Sequence, residues 1–398
     1  MALFLMPIFL FQISLEELLN KAMKNNPEIL SAQRIYRATL YQKEYYRWWL
    51  PNPEIGFGAS FSEPRFEFSI SQKLPFPSKL NALGKKADSV SSLELKRLEL
   101  MKWEIKTQIK EHYFELWFIY SQKEILEDMK MLVSDLAEVV QSRYRFGQEP
   151  IASLIRVQIE LSKIQERIIN LSADISVLSS KISELVGEIP DSNIFPEGDI
   201  FPAKFDLPYS QLKDIALAHS PQLQVLQAEI ELSKSDLLAS KTELYPDFGF
   251  MFDTMGGMMR AMITFEIPAF FRKKEVKKIM ESQEILLSSH SRFEAEKNRV
   301  LNLLKSFKDL SDSSFELWKL YKEVIIPQAE LNFSAARANW EVGKVDFLTV
   351  IDSLTLLLSY KIEEKRYVSL NRKYNANIEK LLGLDEKEVI NYEFNKER

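Results

Sequence analysis

The spacing of hydrophobic positions changes along the chain, from alternation to a period of three to four residues. Between Pro53 and Leu74, apolar residues alternate with small or charged ones, which is typical of two β-strands in a hairpin. From Ser78 to Arg145 the apolar spacing becomes three to four residues, and Gly84 is the only glycine or proline in this stretch. That pattern predicts one helix of about 70 residues, far longer than the usual helix of a globular protein.

The same order occurs again in the second half of the chain. Asn26-Pro27 near the start corresponds to Ser220-Pro221, and Gly147 after the long helix corresponds to Gly343. The offset between such pairs is about 193–196 residues, so small insertions separate two copies. The sequence therefore predicts a mainly α protein with a small β part, in which each copy has a helix, a β-hairpin, a long helix and a return helix.

The repeat sets the predicted domain boundaries. The apolar segment 1–12 has no basic start and is interpreted as a truncated signal segment, with an apolar arm packed on the body as the alternative. The other predicted parts are repeat 1 at 13–190 with its hairpin at about 53–74, a proline-rich linker at 191–208, repeat 2 at 209–383 with its hairpin at about 247–267, and a charged tail at 384–398.

The composition excludes several classes of function. A net charge of -5 disfavours a nucleic-acid-binding protein. The chain has no cysteine, and its three histidines, His112, His219 and His290, have no metal-ligand spacing. No apolar run reaches the roughly 18–20 residues of a membrane-spanning helix. We find no catalytic constellation, so we expect that the chain is not an enzyme and needs no cofactor or bound metal.

Both predicted hairpins carry large apolar side chains on one face and small or charged side chains on the other. Over about ten residues, this alternation is typical of a transmembrane β-barrel strand. Open strand edges are not tolerated in lipid, so the four strands of one chain need strands from other copies, and three chains predict a twelve-stranded barrel. The residues predicted to face lipid are Ile55, Phe57, Phe61, Phe66, Phe68, Phe248, Phe250, Ile263, Phe265 and Ile267.

Two segments of the second repeat resemble the hallmark of a known family. Ile326-Pro-Gln-Ala-Glu330 and Trp340-Glu-Val-Gly-Lys-Val-Asp-Phe-Leu348 are similar to the pattern of the TolC-like outer-membrane efflux family, as is the internal duplication. The resemblance implies a homotrimer whose α-barrel crosses the periplasm and carries the β-barrel in the outer membrane of a Gram-negative-type cell. It also implies a passive exit duct for substrates handed over by a periplasmic adaptor and an inner-membrane pump, for example of the resistance-nodulation-division type.

The resemblance also assigns roles near the turns between long and return helices. Asp352, nine residues past Gly343, matches the aperture carboxylate of the family, and Asp346 lies closer to the turn. Thr349 occupies the place of a second family carboxylate, so the double acidic ring is incomplete. The turns are implied to be tips that contact the adaptor through Phe146, Gly147, Val342, Gly343, Phe347 and Leu348.

The sequence leaves more than one class of transported substrate in consideration. The segment from Ile70 to Pro77, with Gly84-Lys-Lys86 after it, resembles the heavy-metal efflux branch, and both metal cations and drugs are considered. An outer-membrane duct for type I protein secretion is an alternative, and a soluble coiled-coil scaffold is an alternative from another class. A cluster of thioethers could contact Cu(I) or fill apolar gaps; it consists of Met251, Met255, Met258, Met259 and Met262.

Overall fold

The structure is a computed structural model that describes residues 12–47, 50–59, 66–189, 192–255, 258–270, 273–386 and 388. Its contacts divide the chain into two compact units. The first unit comprises Met1–Pro27, Lys102–Ala218 and Leu301–Arg398, and the second comprises Glu28–Met101 and His219–Val300. Phe61, most of segment 1–12 and most of the tail 384–398 lie outside the described residues, so the predictions for them stay predictions.

The described part of the chain is mainly helical, as predicted. A π-helical turn, Tyr321–Ile325, joins two of the helices. None of the helices in the described ranges holds a stretch apolar enough to cross a membrane. The helices are α1 Leu15–Asn25, α2 Pro27–Arg47, α3 Pro77–Arg145, α4 Ile151–Val186, α5 Tyr209–His219, α6 Pro221–Thr242, α7 Glu275–Leu320, α8 Ile326–Glu341 and α9 Phe347–Leu382.

The strands of the described part form a two-stranded and a four-stranded sheet. A short parallel pair joins β1 Gln12–Ile13 to β4 Phe195–Pro196. The larger sheet is antiparallel, in the order β2–β3–β5–β6. Its strands are β2 Glu54–Ala59, β3 Phe66–Leu74, β5 Asp247–Met255 and β6 Met258–Glu266. The central β3–β5 pair joins the two hairpins, so it brings together residues that lie far apart in the sequence.

The long helix α3 follows the prediction closely. Pro77 occupies its first position, where the missing N–H would have no helical partner, and no later proline interrupts the helix before Arg145. Within the first unit, one set of its buried apolar side chains recurs in steps of four, seven or ten residues, which places this set on one helix face. These side chains are Ile105, Ile109, Leu116, Leu126, Val133 and Val140.

The first helix of each repeat was predicted as a single piece, and that prediction was wrong. A break at Asn26 separates α1 from α2, and a break at Ser220 separates α5 from α6. Each of these residues precedes a proline, which disfavours the α conformation in the residue before it. Accordingly, Asn26 has a ψ of 124° and Ser220 a ψ of 120°.

The repeat pattern predicts one continuous long helix over about 272–341 in the second half, but the backbone there widens at Tyr321–Ile325. Pro327 lies in the first turn of α8, directly after this segment. Proline has no N–H to donate to the carbonyl four residues earlier, and its ring also crowds that carbonyl. A π-helical turn at this place relieves both constraints, so α7 and α8 are separate helices.

A glycine in the left-handed conformation ends each return helix. Gly187 follows α4 with a φ of 82°, and Gly383 follows α9 with a φ of 68°. A Cβ atom on Gly187 would come within 2.6 Å of the Asn25 carbonyl oxygen, so both the backbone conformation and the close approach require glycine. Asn26 strengthens this contact by donating from Nδ2 to the Leu185 carbonyl at 2.7 Å. The end of α1 is therefore docked on the end of α4.

Buried amides of α9 hold the linker between the repeats. The side-chain oxygen of Asn371 accepts a hydrogen bond from the backbone N–H of Ala203 at 2.9 Å, and Asn375 donates to the Ala203 carbonyl at 2.8 Å. Asn371 also donates to the Ser311 carbonyl of α7 at 3.0 Å. Since buried polar groups need partners, this network specifies one position of the linker within the first unit.

Candidate functional site

Turn 1 (residues 146–150) and turn 2 (residues 342–346) have the same backbone conformation. Gly147 has a φ of 71° and Gly343 a φ of 74°, a region that favours glycine. The residue after each glycine donates its backbone N–H to a carbonyl five residues earlier, at 2.9 Å in turn 1 and 2.8 Å in turn 2. This arrangement satisfies carbonyls at the helix end that would otherwise lack partners.

The helices that follow the two turns begin differently. Asp346 is the N-cap of α9: its carboxylate accepts from the backbone N–H of Thr349 at 3.0 Å and from the Thr349 hydroxyl at 2.6 Å. These hydrogen bonds from Thr349 lower the pKa of the Asp346 carboxyl. Pro150 holds the N-cap position of α4 and makes no side-chain capping bond. The structure thus gives Asp346, predicted as an aperture residue, a local role in starting α9.

The tip residues differ in exposure. Phe146 is 78% exposed and Val342 67%, while Leu348 is also exposed. Phe347 is only 1% exposed and packs against Trp340, with 5.2 Å between ring centroids. The prediction of Phe347 as a tip contact residue is therefore wrong, because the first residue of α9 points inward onto the end of α8.

Side chains of α3 and turn 1 fasten the end of α8. Arg143 donates to the carbonyls of Trp340 at 3.2 Å and Glu341 at 3.0 Å, and its guanidinium lies 4.3 Å from the centroid of the Trp340 ring. Glu149 accepts a hydrogen bond from the Trp340 indole nitrogen at 2.6 Å. The buried indole is thus held by a cation on its face and a carboxylate at its edge.

The return helices place two opposite charges near each other. Asp352 of α9 lies 4.0 Å from Arg156 of α4, measured from Oδ1 to Nη2. Asp352 is nine residues past Gly343, and Arg156 is nine residues past Gly147. Equivalent positions of the two repeats therefore carry a carboxylate and a guanidinium that face each other. The side chains are 64% and 42% exposed, so water screens the pair.

The four-stranded sheet has one continuous apolar face. Directly opposed residues of antiparallel strands share a face, so the register decides which side chains lie together. The opposed apolar pairs are Ile55–Ile70, Phe57–Phe68, Ile70–Phe252, Phe248–Phe265 and Phe250–Ile263. Phe57, Phe66 and Phe265 are exposed on this face, whereas Phe68 and Phe248 are half-buried. The predicted lipid-facing residues within the described strands therefore share one surface in a chain, while Ile267 follows the end of β6.

The opposite face of the sheet carries small and charged side chains together with methionines. Ser69, Asp253 and Arg260 form one row across β3, β5 and β6, and Arg260 makes a bidentate ion pair with Asp253 at 3.0 and 2.7 Å. Met251 lies opposite Met262 on the same face. Among the described residues, no group of three or more His, Asp or Glu side chains is arranged to hold a metal ion.

Several residues of these sites were missed at the level of sequence. Arg143, Glu149 and Trp340 form the contact of α3 and turn 1 with the end of α8. No local sequence pattern marks this contact, because the segments lie almost 200 residues apart. Phe252 was also missed, although the alternation that includes Phe248 and Phe250 extends to it. A longer alternating window would have found Phe252.

Solved structures with the same fold are outer-membrane channel proteins. A crystal structure of CusC, described in relation to transmembrane channel formation, covers 94% of this chain and 93% of its own at a TM-score of 0.80 and 14% identity. The outer membrane protein VceC from Vibrio cholerae covers 93% of this chain and 96% of its own at a TM-score of 0.79 and 15% identity. The chain has the fold of the TolC-like outer-membrane efflux channels, which confirms the predicted resemblance.

Comparison of the sequence with known proteins gives fewer matches than comparison of the fold. No family model matches the chain. The chain is similar to the cobalt-zinc-cadmium resistance protein CzcC of Cupriavidus metallidurans, with 22% identity over 352 residues, 84% of this chain and 81% of that protein. This relative agrees with the predicted resemblance to the heavy-metal efflux branch.

Proposed function

We propose that the protein is the outer-membrane channel of a tripartite efflux system and acts as a passive exit duct. It accepts substrate from an inner-membrane pump and a periplasmic adaptor, and catalyses no reaction. The observation that carries the proposal is the continuous apolar face of the sheet, formed by residues from both halves of the chain. The similarity in fold to outer-membrane channels supports the same function.

A four-stranded sheet of this kind has two open edges, at β2 and β6. Lipid does not tolerate such edges, because every backbone polar group there needs a partner. Three copies of the chain close a twelve-stranded barrel with apolar side chains outside and the row containing Asp253 and Arg260 inside. Homotrimerisation is therefore part of the proposal.

The exposed apolar tips fit a contact with another protein. Phe146, Val342 and Leu348 lie exposed beside glycine turns whose backbone is fixed, so the tips present preformed apolar surfaces. An adaptor that buries them gains hydrophobic free energy without having to order a flexible loop. Asp352 and its neighbour Arg156 line the aperture of the same end in this proposal.

Metal cations are the substrate class that we propose. The supporting observation is the similarity to a cobalt-zinc-cadmium resistance protein along most of both chains. The test is growth of a host that lacks its own outer-membrane component, carrying the chain with its cognate pump and adaptor. We expect restored growth on cobalt, zinc or cadmium salts. Restored growth on organic drugs alone would show that the metal assignment is wrong.

Substitutions at two adjacent residues on opposite faces of β6 test the membrane assignment. Phe265→Lys places a cation on the apolar face, where it costs about 2–4 kcal/mol at the bilayer midplane and less near the interface. Thr264→Lys is the matched control, because Thr264 is exposed on the opposite face of the same strand. We expect the Phe265 variant to lose detergent-extracted, heat-stable trimers from the outer-membrane fraction and the Thr264 variant to keep them.

Two results would contradict the proposal. Equal yields of membrane trimers from both variants would show that the apolar face does not contact lipid. A wild-type chain that purifies as a monomer without detergent would favour the soluble coiled-coil scaffold. Secretion of a polypeptide with a type I pump would instead favour the protein-secretion duct.

A further inference from the structure

The segment that joins β6 to α7 concentrates positive charge. Lys273 and Lys274 stand directly before α7, and Lys277 and Lys278 lie in its first turn. All four side chains are exposed, and none of them forms an ion pair with another described residue. The carboxylate of the same turn, Glu275, has a buried Oε2 atom without a hydrogen-bond partner. We call these four lysines the lysine patch.

The backbone holds the lysine patch at the N-terminus of α7, where the helix dipole repels positive charge. The Phe270 carbonyl accepts from the backbone N–H of Lys273 at 2.9 Å and of Lys274 at 3.3 Å, which fixes both residues at the helix start. A helix N-terminus carries a partial positive charge, so cations gathered there are repelled by the helix as well as by each other. Water and salt screen these repulsions in part, and a bound anion offsets them further.

The start of α3, which follows the other hairpin, differs because carboxylates of the same chain neutralise its lysine. Lys79 lies in its first turn and is largely buried, with its ammonium 2.9 Å from Asp247 Oδ2 and 4.0 Å from Glu243. Asp247 also accepts from the backbone N–H of Phe76 at 3.0 Å. The charge at that helix start is therefore neutralised within the second unit, while the charge of the lysine patch is left for an external partner.

The residues just before the lysine patch are apolar and exposed. Ile267 is 70% exposed and Phe270 77% exposed. A basic cluster beside exposed apolar side chains matches the border between phospholipid headgroups and acyl chains, because the cations reach phosphate while the apolar groups enter the hydrocarbon. A small soluble anion would satisfy the charge but leave the apolar side chains uncovered.

We propose that the lysine patch, together with Ile267 and Phe270, is a binding site for the headgroup of an anionic phospholipid. The site rests on the proposed function, in which this junction of strand and helix lies at the periplasmic border of the outer membrane. Binding there anchors the helical part of each chain to the inner leaflet of that membrane.

The test measures binding of phosphatidylglycerol to the delipidated full chain in neutral detergent by native mass spectrometry, with phosphatidylcholine and inorganic phosphate as comparison ligands. The patch variant replaces Lys273, Lys274, Lys277 and Lys278 with glutamine. Removing one basic side chain from an anionic lipid surface weakens binding about fivefold, so we expect a loss on the order of a hundredfold or more for the variant. The wild-type chain should prefer phosphatidylglycerol to phosphatidylcholine.

A charge-matched control separates the site from general electrostatics. It replaces four other exposed lysines that have no ion pair with a described residue, Lys24, Lys213, Lys319 and Lys344. We expect this control to bind phosphatidylglycerol within about twofold of the wild type. In lipid-free detergent the patch variant should unfold at the same temperature as the wild type or higher, because the helix start loses its repulsion.

Four outcomes overturn the inference: no preference for phosphatidylglycerol, an equal loss in the control, displacement of the lipid by millimolar phosphate, or a lower unfolding temperature of the lipid-free patch variant. The same preparation reports on the proposed function separately. A detergent-dependent trimer that shows no lipid preference contradicts only the lipid site, whereas a chain that is monomeric without detergent contradicts the channel itself.

Discussion

Turn 1 and turn 2 reverse the chain with the same backbone geometry, but the side chains around them differ. Three residues before each glycine stands an aromatic residue: Tyr144 before turn 1 is exposed, while Trp340 before turn 2 is buried. Arg143 at the end of α3 and Glu149 within turn 1 both bind Trp340. Polar groups at turn 1 therefore hold the end of α8. Among the described residues, no side chain of turn 2 makes an equivalent contact with the end of α3.

The return helices also differ in their side chains. Arg156 and Asp352 occupy equivalent positions after the two turns and carry opposite charges. A duplicated unit with identical sequences would place like charges there and repel itself. In this chain, the residues nine positions after the two turns carry charges that attract each other.

The largest expected effect comes from the two aromatic positions. Trp340→Ala removes a buried indole and should lower the free energy of unfolding by about 3–5 kcal/mol. Tyr144→Ala, at the equivalent exposed position, should cost less than about 1 kcal/mol. Denaturant unfolding in detergent, followed by circular dichroism, measures both. Equal losses for the two variants would show that the turns are energetically alike.

The next effect concerns the carbonyls at the end of α8. Arg143→Ala leaves two of them without their donor and removes the cation from the Trp340 ring, so we expect a loss of about 1–3 kcal/mol. Asn339 is the equivalent residue before turn 2 and is exposed, so Asn339→Ala serves as the control and should be nearly neutral. Arg143→Lys should lose less than the alanine variant, because lysine keeps a positive charge for the Trp340 ring but lacks the planar fork that donates to both carbonyls.

The charges of the return helices should affect conduction more than stability. In planar bilayers, Asp352→Asn should shift the channel towards anion selectivity and Arg156→Gln towards cation selectivity, because each removes one charge from the proposed aperture. Exchanging the two residues should restore the wild-type selectivity. The cost in stability should stay below about 1 kcal/mol, since the pair is exposed. Unchanged selectivity in both single variants would remove the pair from the aperture.

The smallest effect is expected at the start of α9. Asp346→Ala loses the N-cap and should lower the melting temperature slightly, while Asp346→Asn should keep most of the cap. The pKa of Asp346 is lowered in the folded chain, so its contribution is complete above the ordinary carboxyl range and is lost as the pH falls through the folded pKa. Pro150→Ala at the equivalent position has no capping bond to lose, so the difference between its melting temperature and that of the wild type should not change with pH in this window.

Much of the fold was predictable because its signals are local. The alternation in the hairpins, the proline-free run of α3 and the glycines of the two turns each fix the backbone through nearby residues. The misplaced boundaries also have a local cause, since Pro27 and Pro221 sit one residue after a break that the repeat pattern obscured. Pro327 likewise lies in the first turn after the π-helical turn.

The candidate sites were less predictable because they depend on partners distant in sequence. Phe347 and Phe146 are both phenylalanines next to a turn, yet one is buried on Trp340 and the other is exposed. Asp346 and Asp352 are both carboxylates near turn 2, yet one caps a helix and the other faces Arg156. Residue type is the same within each pair and does not show which member is buried or capping, so the packing was needed to distinguish them.

By itself, the sequence determined the order of helices, hairpins and turns, because periodicity, proline and glycine act on the backbone within a few residues. Only the tertiary structure decided that β3 pairs with β5 to make one apolar face, and that Arg143 and Glu149 hold Trp340. These contacts join segments from opposite halves of the chain, and their free energy comes from burial and hydrogen bonding that exist only after the chain has folded.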